Sequence, residues 1–242
     1  MAYVLVPVKD QVLAKSRLSG VLAPDERRAL NHAMLQDMLD AVSACPGVDQ
    51  VVLVSDDPTV TLLADKYSAE LVSERDANAR NVNEALAAAC DDLAARRVDR
   101  VLIVPSDMPL LRTTDLEALL SCGADAGNDV VLGPDSRNDG TNAMLFTAAE
   151  RPAMRYGPNS FSRYQDDLRR RGLSYAVIRR PGIERDVDTA ADLLAVFAAR
   201  HCAECGRQTA EFLSRSPIIE RLSLQQEAGL VVADERSAAA ND

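Results

Sequence analysis

The segment Lys9-Asp10-Gln11-Val12-Leu13-Ala14-Lys15-Ser16-Arg17-Leu18 holds two of the chain's three lysines, with a serine and an arginine beside the second. It has no glycine, so neither the G-x-G-x-x-G dinucleotide turn nor the Walker phosphate loop is present, and a grip on phosphate would have to come from side chains. Lys15 would supply a point charge, Arg17 a two-pronged donor and Ser16 a hydroxyl. An ordinary solvated basic loop is the competing reading. The stretch Pro105-Ser106-Asp107-Met108-Pro109-Leu110-Leu111 sets one carboxylate between two prolines. That suits magnesium, which takes one or two carboxylates and shares its remaining positions between water and substrate phosphates; capping a turn is the other common use of such an aspartate. In Asp186-Val187-Asp188-Thr189, alternation along an extended segment sends both aspartates to one face. Asp188 or Thr189 could instead cap a following helix.

A third group, Asp139-Gly140-Thr141-Asn142 with Gly157-Pro158-Asn159-Ser160-Phe161, resembles a pocket for a second, anionic substrate. Small residues admit a ligand closely, and backbone amides at a helix start attract carboxylate or phosphate. A pair of plain glycine turns would look the same. With only His32 and His201, and no G-x-S-x-G or H-E-x-x-H, the chain gives no support to triad hydrolysis or zinc proteolysis. His201-Cys202-Ala203-Glu204-Cys205 is half a zinc site or a redox pair, but no second C-x-x-C completes it, and helix-surface thiols are the preferred reading.

These residues need a scaffold. Tyr3 to Val8, Gln50 to Val54, Arg100 to Val104 and Asp129 to Leu132 are short runs of valine, leucine and isoleucine, the pattern of parallel strands buried on both faces. Between them, Pro24 to Val42 and Val82 to Arg96 carry apolar residues at helical spacing, and Thr114 with Glu117 suggests a capping box for a helix through Leu120. The alternation predicts an α/β doubly wound sheet with right-handed crossovers. Beyond residue 133 we expect an antiparallel insertion at Ala143 to Phe146, a helix over Ser160 to Arg171, strands at Tyr175 to Ile178 and just before Asp186, and a helix from Thr189 to Ala199. The domain should span residues 1–200. Residues 201–242 form an extension, partly helical from Ser216-Pro217 onward, with a disordered end; Ile218, Ile219, Leu222 and Leu224 would pack on the domain or build a homodimer.

Composition narrows the partners. The 242 residues are 47% hydrophobic, enough for one full core, and carry a net charge of −10. Such a field repels polyanions, so nucleic acid is not an expected partner. No apolar stretch approaches membrane-spanning length and the five cysteines are too scattered for a disulfide framework, so we expect a cytoplasmic protein with no membrane partner and reduced thiols.

From residue 3 to about 199 the chain resembles the 2-phospho-L-lactate guanylyltransferase family. The residues that carry the likeness are Val6-Pro7-Val8-Lys9, Ala14-Lys15-Ser16-Arg17-Leu18, Pro105-Ser106-Asp107-Met108-Pro109-Leu110-Leu111, Gly140-Thr141-Asn142-Ala143, Gly157-Pro158-Asn159-Ser160-Phe161 and Asp186-Val187-Asp188-Thr189. The resemblance implies a three-layer nucleotidyltransferase fold of GT-A-like type. It implies an enzyme that joins GTP to a phosphorylated three-carbon acid (phosphoenolpyruvate, 2-phospho-L-lactate or 3-phospho-D-glycerate) with release of pyrophosphate, in deazaflavin coenzyme biosynthesis. It assigns Lys9, Lys15, Ser16, Arg17, Ser55 and Asn83 to the nucleotide, with Lys15, Arg17 and Asp107 central to catalysis. Thr141, Gly157 and Ser160 fall to the acceptor, and Asp107, Asp186 and Asp188 to Mg2+. The family's glycine-leucine-asparagine before the third long helix is Asn81-Val82-Asn83 here, which keeps the asparagine. Two alternatives stand beside this reading: a molybdenum-cofactor or sugar-phosphate nucleotidyltransferase, usually with a glycine-rich first loop, and a nucleotide-binding regulatory module without turnover.

Overall fold

The apolar runs become strands because each can bury side chains on both faces. The computed structural model describes residues 2–8, 15–125, 127–199, 205–215 and 217–227. In it β1 (Ala2–Pro7), β2 (Val48–Val54), β3 (Glu70–Val72), β4 (Arg100–Ile103), β5 (Val130–Pro134), β6 (Thr141–Thr147) and β7 (Tyr175–Val177) form one sheet in the order β3-β2-β1-β4-β6-β5-β7. Only β6 runs against the rest, paired antiparallel with β4 and β5, which matches the expected insertion at Ala143 to Phe146.

The pleat divides each strand between two cores. Val4, Val6, Leu53, Leu102, Val131 and Leu145 face one side. There they meet α1 (Pro24–Ser43), α2 (Pro58–Tyr67) and α4 (Thr113–Asp125) through Leu35, Met38, Leu39, Leu63, Leu116 and Leu119. Leu5, Val52, Val101, Ile103, Leu132 and Phe146 face the other, against α3 (Val82–Ala95) and α5 (Ser160–Arg171) through Leu86, Leu93, Phe161, Tyr164 and Leu168. The result is the three-layer α/β architecture, with each fully buried aliphatic side chain contributing about 1.5–3 kcal/mol of transfer free energy.

Four local readings are corrected. The helix α2 and the edge strand β3 were not anticipated. The strand expected before Asp186 is instead a short helix, α6 (Pro181–Glu184), followed by irregular backbone. Pro181 starts it, and Gly182 packs so tightly that a Cβ there would lie 2.6 Å from Leu110 O. The capping box at α4 uses other residues: the helix begins at Thr113, and Asp115 Oδ2 accepts from Arg112 N at 3.1 Å. Asp115 prevails because it also meets Arg180 at 2.9 Å, a tertiary partner that a local pattern cannot contain.

Packing extends past residue 200. Leu213 of α8 (Arg207–Arg215) and Ile218 and Leu222 of α9 (Ile218–Glu227) share a third cluster with Leu18, Leu22, Leu30 and Met34, and with Val187, Leu193 and Val196. The last two belong to α7 (Ala190–Ala199). Asp37 of α1 fastens α8 by accepting from Gln208 N at 2.8 Å and Thr209 N at 2.7 Å, the role of an N-cap supplied from another helix. Ile218 and Leu222 therefore pack on the domain itself, one of the two roles expected of them; Leu224 stands exposed. His201 to Glu204 and the terminal residues 228–242 lie outside the described residues. No helix among the described residues is long and apolar enough to cross a membrane.

Candidate functional site

In an open α/β sheet the crevice lies beyond the carboxyl ends of the strands, where the strand order reverses. Here that point is between β1 and β4, and the loops that leave them carry Lys15 and Asp107. Lys15 has a left-handed backbone (φ 59) and leads into a single 3-10 turn, Ser16–Leu18, which buried Leu18 anchors in the third core cluster. After β4, buried Met108, Leu110 and Leu111 hold the Pro105 to Leu111 segment and turn Asp107 to the crevice. Val187 N donates to Asp107 O at 3.0 Å, so a backbone bond joins the two acidic segments. Val187 is fully buried, and the alternation expected of this segment carries Asp186 and Asp188 to one side of it. Thr189 takes the capping work: its hydroxyl accepts from Asp192 N at 3.3 Å, while Asp192 Oδ2 accepts from Thr189 N at 2.8 Å. Asp188 is thereby left for the crevice.

The outcome is a cluster in which carboxylate oxygens of Asp107, Asp186 and Asp188 all lie within 4.8 Å of one another. Lys15 Nζ donates to Asp107 Oδ2 at 2.6 Å and Asp188 Oδ1 at 2.9 Å, and its side chain is only 6% exposed. Burial disfavours the ammonium, but the two carboxylates outweigh it and hold the lysine well above its usual range. Asp186 shows the opposite stress. Burial first, then the charges of Asp107 and Asp188, push its carboxyl up to about 6, against the relief of a 3.2 Å hydrogen bond from Asn142 Nδ2. Three carboxylates beside one ammonium leave two negative charges uncompensated. In addition, Asp107 Oδ1 is buried and has no hydrogen-bond partner among the described residues. An all-oxygen donor set of that charge, with one oxygen unsatisfied, fits a hard divalent cation.

The cluster opens into a cavity of about 530 Å³. Lys15, Arg17, Asp107, Asp186 and Asp188 line it, as do Thr141, Gly157 and Ser160. Ser160 Oγ donates to Thr141 Oγ1 at 3.2 Å, both buried. Gly157 has φ 131, a conformation that excludes L side chains, so its glycine is a backbone requirement. The amides at the start of α5 are not free, contrary to expectation. Asp139 accepts from Asn159 N at 2.9 Å through its side chain and from Phe161 N at 3.2 Å through its carbonyl, and Ser160 N donates to Gly157 O. What this end offers a ligand is the pair of hydroxyls.

Two expected nucleotide residues do not line the cavity. Ser55 is buried, and its hydroxyl accepts from Asp57 N at 3.1 Å at the start of α2. Asn83 clamps the backbone of Tyr156, donating to its carbonyl at 3.0 Å and accepting from its amide at 2.7 Å. Lys9 lies outside the described residues. The lining residues that sequence reasoning missed include Asn31 of α1, whose Nδ2 is buried without a partner among the described residues, and Arg137 in the β5–β6 turn. Asn31 is half-buried in the middle of a helix and Arg137 sits in a polar turn, and neither location signals a site.

Comparison with known proteins agrees with this geometry. The family model described as "Guanylyl transferase CofC like" matches residues 2–232. The chain is 36% identical to a phosphoenolpyruvate guanylyltransferase of Sphaerobacter thermophilus, over 78% of this chain and 89% of the relative. It is 37% identical to a 2-phospho-L-lactate guanylyltransferase of Methanothermobacter thermautotrophicus, over 78% and 81%. It is 36% identical to a 3-phospho-D-glycerate guanylyltransferase of Phenylobacterium zucineum, over 88% and 96%. Among solved structures, CMP:2-keto-3-deoxy-manno-octonic acid synthetase complexed with CTP shares the fold, with a TM-score of 0.56 at 17% identity over 83% of this chain and 98% of that one. With its three-layer sheet and acidic cluster at the switch point, this chain is a nucleotidyltransferase that belongs to the CofC-like guanylyl transferase family.

Proposed function

We propose that the protein transfers the guanylyl group of GTP to the phosphate of a small phosphorylated three-carbon acid, and that its product enters deazaflavin coenzyme biosynthesis. The observation that carries this reading is the convergence of three carboxylates and a buried lysine on one cavity at the sheet's switch point, in a chain of this family. An oxygen of the acceptor phosphate attacks the α-phosphorus, the bond from that phosphorus to the β-phosphate oxygen breaks, and pyrophosphate leaves with the electron pair. A phosphate dianion is already a competent nucleophile, so the protein's task is to position the reactants and neutralise charge, the general logic of phosphoryl transfer.

Asp107 and Asp186, with Asp188 beside them, would hold Mg2+, which supplies charge neutralisation at the reacting phosphates. Lys15 stays protonated across the neutral range and acts as a fixed positive charge rather than as a proton donor. Arg17, exposed at the rim of the cavity, offers a two-pronged donor to the triphosphate, with Ser16 and Lys9 in the same segment. The Thr141 and Ser160 hydroxyls receive the acceptor, and Gly157, with no side chain, lets it approach closely. Asn83 serves the site indirectly, by fixing Tyr156 next to Gly157.

The test is pyrophosphate release from GTP and Mg2+ with phosphoenolpyruvate, 2-phospho-L-lactate and 3-phospho-D-glycerate in turn. Release with at least one acceptor supports the proposal. Tight GTP binding with no release for any of them would favour a regulatory module instead.

A further inference from the structure

The cavity is lined by five carboxylates, Asp107, Asp135, Asp139, Asp186 and Asp188, and by three cations, Lys15, Arg17 and Arg137. Lys15 is committed to Asp107 and Asp188. Asp135 and Asp139 are occupied by backbone donors: Asp135 Oδ1 accepts from Arg137 N at 3.1 Å and Asp139 N at 2.9 Å, and Asp139 Oδ1 from Asn159 N at 2.9 Å. Among the described residues, Arg17 and Arg137 line this cavity and neither forms an ion pair with a carboxylate. The segments that carry them leave different strands of the sheet. Arg17 follows β1 and Arg137 lies in the turn between β5 and β6, with β4 and its Asp107 between them in the sheet.

The turn that carries Arg137 is fixed although the side chain is exposed. Ser136 N donates to Glu184 O at 2.9 Å, Asp135 N donates to Gly140 O at 3.1 Å, and Asn138 holds a left-handed φ of 61. The backbone that carries Arg137 is therefore held in one place, a few residues from Thr141. The acceptor proposed above has two charged ends. Its phosphate must approach the acidic cluster to reach the α-phosphorus, which directs its carboxylate away from that cluster. On that side Thr141 and Ser160 supply hydrogen bonds but no charge. We infer that Arg137 binds the carboxylate of the acceptor acid and makes the enzyme select phosphate esters that carry one. Its planar fork matches a carboxylate in two-point geometry. This inference rests on the proposed guanylyl transfer.

The experiment compares wild type, R137A and R137K as full-length proteins, with GTP, Mg2+ and the three phospho-acids. Glycerol 3-phosphate is added as a matched phosphate ester without a carboxylate. R137A should raise the acceptor KM roughly 10- to 100-fold, the range for a lost charge-assisted hydrogen-bond pair. The KM for GTP and kcat should stay within about threefold, R137K should recover part of the loss, and activity with glycerol 3-phosphate should be unchanged, which erases the wild-type preference. Because Arg137 is exposed and its charge has no described partner, both variants should melt as wild type does. An unchanged acceptor KM in R137A, or an equal rise in the KM for GTP, overturns the inference while leaving guanylyl transfer standing. A wild type inactive with every acceptor overturns both.

Discussion

Replacing Asp107 by asparagine keeps the size of the side chain and removes the charge that touches Lys15 and presses on Asp186. Two unit charges 4 Å apart interact by about 4 kcal/mol at an effective dielectric of 20. A divalent cation within the cluster would feel twice that. If solvent and relaxation take half, roughly 4 kcal/mol of binding is lost, about three orders of magnitude in cation affinity. The fold should survive, because Lys15 keeps Asp188 at 2.9 Å and the repulsion borne by Asp186 is relieved; a net stability change within about 2 kcal/mol is expected. Three readouts check this: cation affinity by calorimetry, pyrophosphate release, and the titration of Asp186 by carbon-13 NMR. The variant should bind Mg2+ roughly 1,000-fold more weakly and lose a comparable factor in kcat/KM, and the Asp186 carboxyl should titrate below its wild-type position near 6. A variant within tenfold of wild type in cation affinity and turnover would refute the electrostatic reasoning.

Further outcomes follow from the same structure. The Asp186 carboxyl is raised from 3.8 to about 6, so in chelator its contribution to stability is full below pH 3.8 and is lost as pH rises through 6, a difference of about 3 kcal/mol; the melting temperature should therefore show this group favouring the acid side, and Mg2+ should stabilise more at pH 7 than at pH 5. A Mg2+ shift of equal size at both pH values would contradict that. Asn83→Ala removes both bonds to Tyr156 and should cost about 1–3 kcal/mol while raising the acceptor KM more than the KM for GTP; the reverse split in steady-state kinetics would make Asn83 a nucleotide ligand after all. Asp37→Ala strips the side-chain acceptor from the first turn of α8 and should lower stability by about 2 kcal/mol in denaturant titration with little effect on turnover, whereas unaltered unfolding would mean that α8 is not held through that carboxylate.

What could be read from the residues, and what could not, divides by the range of the determining contact. The four apolar runs were legible as strands because burial on both faces forces a continuous hydrophobic stretch, and Val4, Leu5 and Val6 do alternate between the two cores. The helix α2 was not legible because its pattern is blurred: Val60 and Leu63 are buried while Leu62 between them is 74% exposed. The edge strand β3 is only three residues long, too short to show a period. At the site, Asp107, Asp186 and Asp188 were legible because strand ends and alternation are local properties, and the structure does bring them together. The partners that decide other roles lie far along the chain. Asn83 meets Tyr156 across 73 residues, and Asp37 meets Thr209 across 172. No periodicity encodes such pairs, so the clamp that Asn83 forms on Tyr156 leaves no local trace, and Arg137, in an exposed polar turn, gives no sign of the cavity it lines.

The central claim is most directly tested by following the α-phosphate. With GTP labelled at that position, Mg2+ and the three phospho-acids, the label should appear in a new species whose mass equals guanosine monophosphate joined to the acceptor phosphate, with one pyrophosphate released per adduct. Label found only in unreacted GTP, or only in GMP or GDP formed by hydrolysis, would contradict guanylyl transfer by this protein.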